Sequence, residues 1–338
     1  MTSVSLDFKE KKKLANNLIL GIILALAGGI ANNTGILLQK FAINKIPEEK
    51  REKGFYKKLF KSPSWVVGLI LIMGASGALI SLAQLYIGGA LIPGLMAVGM
   101  IVLTIGAVKL LGEKLKLVEY LGIFSMIIGI VLIGLSALEI TDEDMTNLAD
   151  TNFVIRLAIY SIAFFILWIV SRQLGKRFEK GKTVFLALGA GFPFALANAW
   201  MQPFIFIFRE FVNGNFTVLN LILFIVSILI VAVVNIVGIG HVQDAFKHGD
   251  ASKVYPISQI PQQIAPVILF YGIYLNSSPQ IYSLYLLLIG IIIILVAGFL
   301  LGRKQGQLET MGLAEDHELE METTTEIELS KMADEITK

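Results

Sequence analysis

The 338 residues contain no cysteine. Disulfides, thiolate metal sites, iron–sulfur clusters and a cysteine nucleophile are therefore excluded. Charge is scarce too: Asp, Glu, Lys and Arg make up 16% of the chain, where an ordinary globular protein carries about 25%. There is no GxSxG, no HExxH, no phosphate-binding loop and no GxGxxG in a strand–helix setting, so catalysis has no candidate constellation and no cofactor is called for. Hydrophobic residues fill the space instead, at 55% of the chain and a mean hydropathy of +0.74. This is the composition of an all-α integral membrane protein. Pro93, Pro193, Pro203, Pro256, Pro261 and Pro266 lie inside apolar runs, where neighbouring helices can satisfy the backbone groups that proline frees.

Nine runs approach the roughly 20 apolar residues that a transmembrane helix needs: Leu14–Leu38, Trp65–Ile87, Ala90–Leu111, Leu117–Leu138, Phe153–Val170, Thr183–Phe208, Leu219–Gly240, Val254–Tyr274 and Ile281–Leu301. The first is too long for a secretory signal and is expected to be retained. About nine transmembrane helices put the two termini on opposite sides. Alternating the loops gathers 22 lysines and arginines on one side and leaves 6 on the other. By the positive-inside rule the N-terminus is expected outside and the C-terminus in the cytoplasm of a multi-pass cell-membrane protein.

The expected organisation is an N-terminal extramembrane segment (1–13), a first half of four helices (14–138) with a basic loop at 39–63, an acidic outer loop (139–152), a second half of five helices (153–302) and a cytoplasmic tail (303–338). The outer loop carries Glu139, Asp142, Glu143, Asp144 and Asp150, enough to concentrate cations at an entrance, although plain solvation explains it as well. Ten of the 26 carboxylates fall between Glu309 and Glu335 in the tail, which has too little apolar surface to fold alone. The basic loop, interleaved with Phe41, Phe55, Tyr56 and Phe60, suits anionic lipid rather than nucleic acid.

Two stretches share a grammar: GGALIPGLMAVGMIVLTIGAVKLLGEKL from Gly88 and GDASKVYPISQIPQQIAPVILFYGIYL from Gly249. Each opens on glycine and a small residue, reaches a proline, runs apolar and turns into another helix. The charge count gives them opposite directions. Interrupted helices at matching places in two inverted halves are the pattern of a transporter with its site near the midplane.

These stretches, with GGIANNTGILLQK in the first helix, GASGALISLAQLYIGG in the second, LGEKLKLVEYLG leading into the fourth, and Asn235 followed by KVYPISQ, resemble the NIPA-type magnesium transporters of the drug/metabolite transporter superfamily, relatives of EamA-domain permeases. The likeness covers roughly residues 15–302. It implies a drug/metabolite transporter-like bundle of two inverted repeats, here four plus five helices, and transport of Mg²⁺ or another small solute. One departure is Gly74-Ala75-Ser76, where the family places a glutamate in the second helix.

No ionisable residue sits in the middle of any run; Lys109, Glu119 and Arg156 are near helix ends, where long side chains reach the interface. The deep polar groups are amides. Asn32 lies on a stripe with Gly21, Gly28, Gly35 and Gln39; Gln84 lies on one with Gly74, Gly77, Ser81 and Gly88. Asn198 and Gln202 are one turn apart, Asn235 shares a face with Gly238, and Gln259, Gln262 and Gln263 fall between Pro256 and Pro266. Helix packing accounts for the glycine stripes as readily as substrate binding does. The three glutamines beside carbonyls freed by proline make an oxygen-rich pocket suited to a hydrated cation or polar solute. His241, Asp244 and His248 occupy i, i+3 and i+7, a spacing that can hold Zn²⁺ or Mn²⁺ if the helix continues past Gly240.

The expected function is a transporter rocking its halves around a midplane site, with Mg²⁺ or another divalent cation as the transported ion. The alternatives are an exporter of a neutral or zwitterionic metabolite and a non-transporting scaffold or receptor. Ending the chain near Gly306 keeps Arg303 and Lys304 and removes the acidic segment. Membrane insertion and transport are expected to survive; a truncated protein that inserts but does not transport would give the tail a gating role.

Overall fold

The computed structural model describes residues 8–47, 51, 54–87, 91–138, 150–179 and 181–303, and every regular element among them is a helix. The acidic outer loop, apart from its last residues, and the tail beyond Arg303 lie outside the described residues. Helix α1 spans Phe8–Asn44 and so begins six residues before the first apolar run, taking Lys9–Lys13 into its first turns. A short α2, Phe55–Phe60, precedes α3, Pro63–Ile70, which passes through a π-helical turn at Leu71–Ser76 into α4, Gly77–Ile87. Helices α5, Ile92–Ala97, and α6, Gly99–Leu111, form one span interrupted at Val98. Then come α7, Leu117–Leu135; α8, Thr151–Arg177; α9, Lys182–Val212; and α10, Val218–Phe246. Helix α11, Ala251–Ile268, runs on through a second π-helical turn, Leu269–Ile273, and α12 spans Ile281–Arg303.

Among the described residues, eight spans are long and apolar enough to cross a membrane. The helix expected at Val254–Tyr274 is not one of them. It forms, as α11 and its π turn, but Pro256, Pro261, Pro266 and the three glutamines make it too polar to meet that measure. It is held inside the bundle, against α9, α10, α7 and α6. Outward-facing apolar residues such as Ile159, Ile236 and Ile292, all more than half exposed, have the surroundings they require only if lipid covers them.

Two long helices organise the packing. Helix α1 lies against α3–α4 and α5–α6; helix α9 lies in the same way against α10 and α11, with α8 added on its other side. Both centres use glycine to bring backbones together. A Cβ on Gly35 would meet the carbonyl oxygen of Gly68 at 2.6 Å, and one on Gly29 the backbone of Met96 at 2.6 Å; on α9, Gly191 abuts the carbonyl of Ser258 on α11. The final helices of the two halves, α7 and α12, cross where a Cβ on Gly129 would lie 2.9 Å from the Gly290 oxygen, and one on Gly290 2.8 Å from the Gly129 oxygen. The C-terminal end of α6 lies beside the N-terminal end of α11, so the two stretches of shared grammar run antiparallel.

The two glycine stripes have different fates. Gly21, Gly28 and Gly35 of α1 pack against the second span. The stripe of that second span does not: Gly74 is exposed with nothing closer than 3.8 Å to a built Cβ, Gly77 has nothing within 4 Å, and Ser81 and Gln84 are exposed. Helix α1 is met instead through Gly68, Ile72 and Ile80. Gly129→Ala is therefore expected to abolish the folded protein, because an immovable carbonyl opposes the new methyl. Gly77→Ala is expected to be neutral or slightly stabilising, by at most about 1 kcal/mol; size-exclusion profiles and thermal unfolding of the detergent-solubilised variants check both.

Candidate transport site

A cavity of about 290 Å³ lies between the two centres, walled by Asn32 and Asn33 of α1, Met96 and Met100 of the interrupted span, Ile130 of α7, Asn198 of α9, and Tyr255, Gln259, Gln262 and Gln263 of α11. At 1.5 Å per residue, Asn32 is about 12 Å along α1 from Lys40 and Gln262 about 13 Å along α11 from Lys253. Lys40 and Lys253 both mark the same end of the bundle. The cavity is thus close to half-way through an apolar layer of about 30 Å.

The eight amides singled out by sequence divide here. Asn32, Asn198, Gln259, Gln262 and Gln263 line the cavity; Gln84, Gln202 and Asn235 do not. Gln84 faces outward. Asn235 is turned back on its own helix, its Nδ2 donating to the Val231 carbonyl at 2.8 Å. Asn33 was missed. It fell next to the chosen stripe rather than on it, yet it is 2% exposed and on the cavity wall; the tandem Asn32-Asn33 was the available signal, since two deep amides are costly to turn towards lipid.

Three of these amides are oriented by bonds to the protein. Asn32 Nδ2 donates to the Tyr255 hydroxyl at 2.7 Å, tying α1 to α11. Asn33 Nδ2 donates to the Gly29 carbonyl at 2.9 Å, and Gln262 Nε2 to the Ser258 carbonyl at 3.1 Å. Each spends its nitrogen on the protein and keeps its oxygen uncommitted. The Asn33 Oδ1 is buried without a hydrogen-bond partner among the described residues, which costs about 1–3 kcal/mol unless something donates to it. Pro266 lacks the N–H that would bond the Gln262 carbonyl in a regular helix, adding one more acceptor beside the cavity. No carboxylate, lysine or arginine is among its lining residues.

Ionic groups are concentrated at one end instead. Gly112, at φ 73°, closes α6 in a left-handed cap that side chains disfavour and so turns Glu113 towards the other half. There Glu113 accepts from the Ala251 amide at 2.7 Å, the Ser252 amide at 3.2 Å and the Ser252 hydroxyl at 2.5 Å, capping the N-terminus of α11. Burial, and then the nearby Asp250, raise its carboxyl above the ordinary glutamate value, against the pull of those three donors. Lys253, fully buried, is held by Glu119 at 3.2 Å and Asp250 at 2.5 Å. Glu119, expected at the interface, is 3% exposed. Lys40 donates to the Phe246 and Gly249 carbonyls at 2.5 and 2.8 Å, capping the C-terminus of α10. Beside it Gln243 donates to Gln39 at 2.7 Å and accepts from the buried Trp65 at 3.2 Å. Part of the basic loop also packs here: Phe55 and Leu59 of α2 are buried, and the Lys247 ammonium lies 3.9 Å from the Phe55 ring centre.

The family profile described as Magnesium transporter NIPA matches residues 16–307. The chain belongs to that family. No curated protein and no solved structure matches it. Family membership makes it a multi-pass membrane transporter, with the bilayer and a transported solute as its partners.

His241 Nδ1 lies 3.8 Å from the Asp244 carboxylate, but His248 does not complete a three-residue group with them. The helix does continue past Gly240, as the spacing required, but His241 Nδ1 meets the Arg172 guanidinium, and Asp244 is taken up by Lys247 at 2.9 Å, Arg172 at 3.6 Å and the Tyr56 hydroxyl at 2.9 Å. Three cationic or donor groups around one carboxylate leave no charge for a metal. No group of three metal-capable side chains occurs among the described residues. Lys253→Met is expected to destabilise the protein by about 3–5 kcal/mol, because it strands Glu119 in the interior; the double variant Lys253→Met with Glu119→Gln should recover much of that loss. Thermal unfolding of the single and double variants checks the coupling, and simple additivity would show the pair to be inert.

Proposed function

We propose that the protein carries Mg²⁺ across the membrane through the amide cavity by alternating access, with nine crossings, the N-terminus outside and the C-terminus in the cytoplasm. The observation that carries this reading is the commitment of the Asn32 and Gln262 nitrogens to the protein, which leaves their oxygens for the solute. Uncommitted amide oxygens at mid-depth, contributed by both halves, suit a cation. The family points to the same ion.

The ionic cluster acts as the cytoplasmic gate. Glu113, Glu119 and Lys40 belong to the first half; Ser252, Lys253 and the end of α10 belong to the second. To open that end the halves must part, and each of these bonds must be exchanged for water. The approach of the helices at Gly129 and Gly290 stays fixed while they rock.

The lining without an ionised side chain also suits a neutral or zwitterionic solute. Proteoliposomes holding a Mg²⁺ indicator, challenged with Mg²⁺ and, in parallel, with labelled amino acids and nucleosides, separate the two. Mg²⁺ entry is expected, with the half-saturating concentration raised roughly tenfold by Gln259→Leu or Gln262→Leu, the loss of about 1.4 kcal/mol. Asn235→Leu is expected to transport as the parent does, since that amide faces its own helix. Flux of an organic solute without Mg²⁺ flux would make the protein an exporter of metabolites.

A further inference from the structure

Resting on the Mg²⁺ reading, we infer that the cavity takes the ion with its inner water shell intact, the amide oxygens accepting hydrogen bonds from metal-bound water rather than touching the metal. Three features of the site converge on this. The first is charge. Mg²⁺ gives up water reluctantly, and proteins that bind it directly supply one or two carboxylates; among the lining residues there are none. Amide oxygens alone, among Met96, Met100 and Ile130, do not repay the dehydration of a dication.

The second is size. Six waters at roughly 30 Å³ each occupy about 180 Å³, and the cavity of about 290 Å³ accommodates them with room for the ion. Direct ligation needs oxygens about 2.1 Å from the metal, a far smaller cage than helices α1, α9 and α11 leave between them.

The third is hydrogen-bond polarity. A water bound to Mg²⁺ directs its lone pair at the metal and both its hydrogens outward, so a hexahydrate is a body that only donates. Part of the cavity wall is matched to such a body: the nitrogens of Asn32 and Gln262 are spent on Tyr255 and Ser258 and their oxygens remain, while Asn198, Gln259 and Gln263 can each turn an oxygen to it.

Cobalt(III) hexaammine tests the inference, because its six ligands do not exchange during an assay and each presents N–H outward. With the full chain in proteoliposomes, it is expected to inhibit Mg²⁺ entry competitively. Gln262→Leu and, separately, Asn32→Leu should weaken Mg²⁺ half-saturation and hexaammine inhibition by the same factor, roughly tenfold for a lost bond to a charged donor. If Mg²⁺ enters while a large excess of hexaammine has no effect, the ion is stripped before it binds; the inference is wrong and the Mg²⁺ reading stands. If the variants weaken Mg²⁺ alone, the hexaammine acts elsewhere, and the inference is again overturned. No Mg²⁺ entry under any condition would sink the transport reading and the inference with it.

Discussion

An ammonium cannot be left without a partner in an apolar interior, and Lys253 is fully buried. The positions of Glu119 and Asp250 follow from that constraint, as does much else at the same end of the molecule. Holding Lys253 fixes the first turn of α11 against α7. The Glu113 carboxylate reinforces the fixation by taking the two amides that the α11 N-terminus would otherwise leave unbonded. With that turn anchored, the register of the next three turns is determined, and Tyr255, Gln259 and Gln262 arrive opposite Asn32 and Asn33. The ionic end and the neutral cavity are thus one construction, in which charge sets position and the amides meet the solute.

Glycine supplies the complementary constraint. At Gly29, Gly35, Gly129 and Gly191 the helices approach so closely that carbonyl oxygens occupy the space of a methyl group. Without a hydrophobic driving force between helices in lipid, this proximity is the main source of cohesion. It also brings α1 to within a hydrogen bond of α11, which the Asn32–Tyr255 contact requires.

Much of the architecture was legible because the bilayer imposes it: the places of the helices along the chain, the division between the second and third spans, and the antiparallel relation of the two proline-bearing stretches all leave marks in hydropathy and charge, although the helices run several residues beyond their apolar cores. The glutamines of α11 were legible as well, since amides between prolines have no apolar explanation. Three things were not. Glu119 and Glu113 look like ordinary loop-flanking acids until the other half of the chain, more than 130 residues away, is folded against them. Gln84 and Asn32 both lie on glycine stripes of helical period, but only one stripe faces a neighbour. The spacing of His241, Asp244 and His248 fits a metal, and what displaces the metal is Arg172, brought in by a different helix. In each case periodicity identifies a face without identifying what lies opposite it.

The anchoring of α11 has a consequence for how the protein is made. This helix is not apolar enough to be recognised as a span by its own hydropathy, and it carries a lysine at its leading edge. It leaves the ribosome after Glu119, which pairs with that lysine, and Glu113, which caps its amides, have been made. The first half therefore supplies the charge and the hydrogen-bond acceptors that the start of α11 needs inside the bundle. A chain split between the halves should accordingly assemble only when the N-terminal piece is present first.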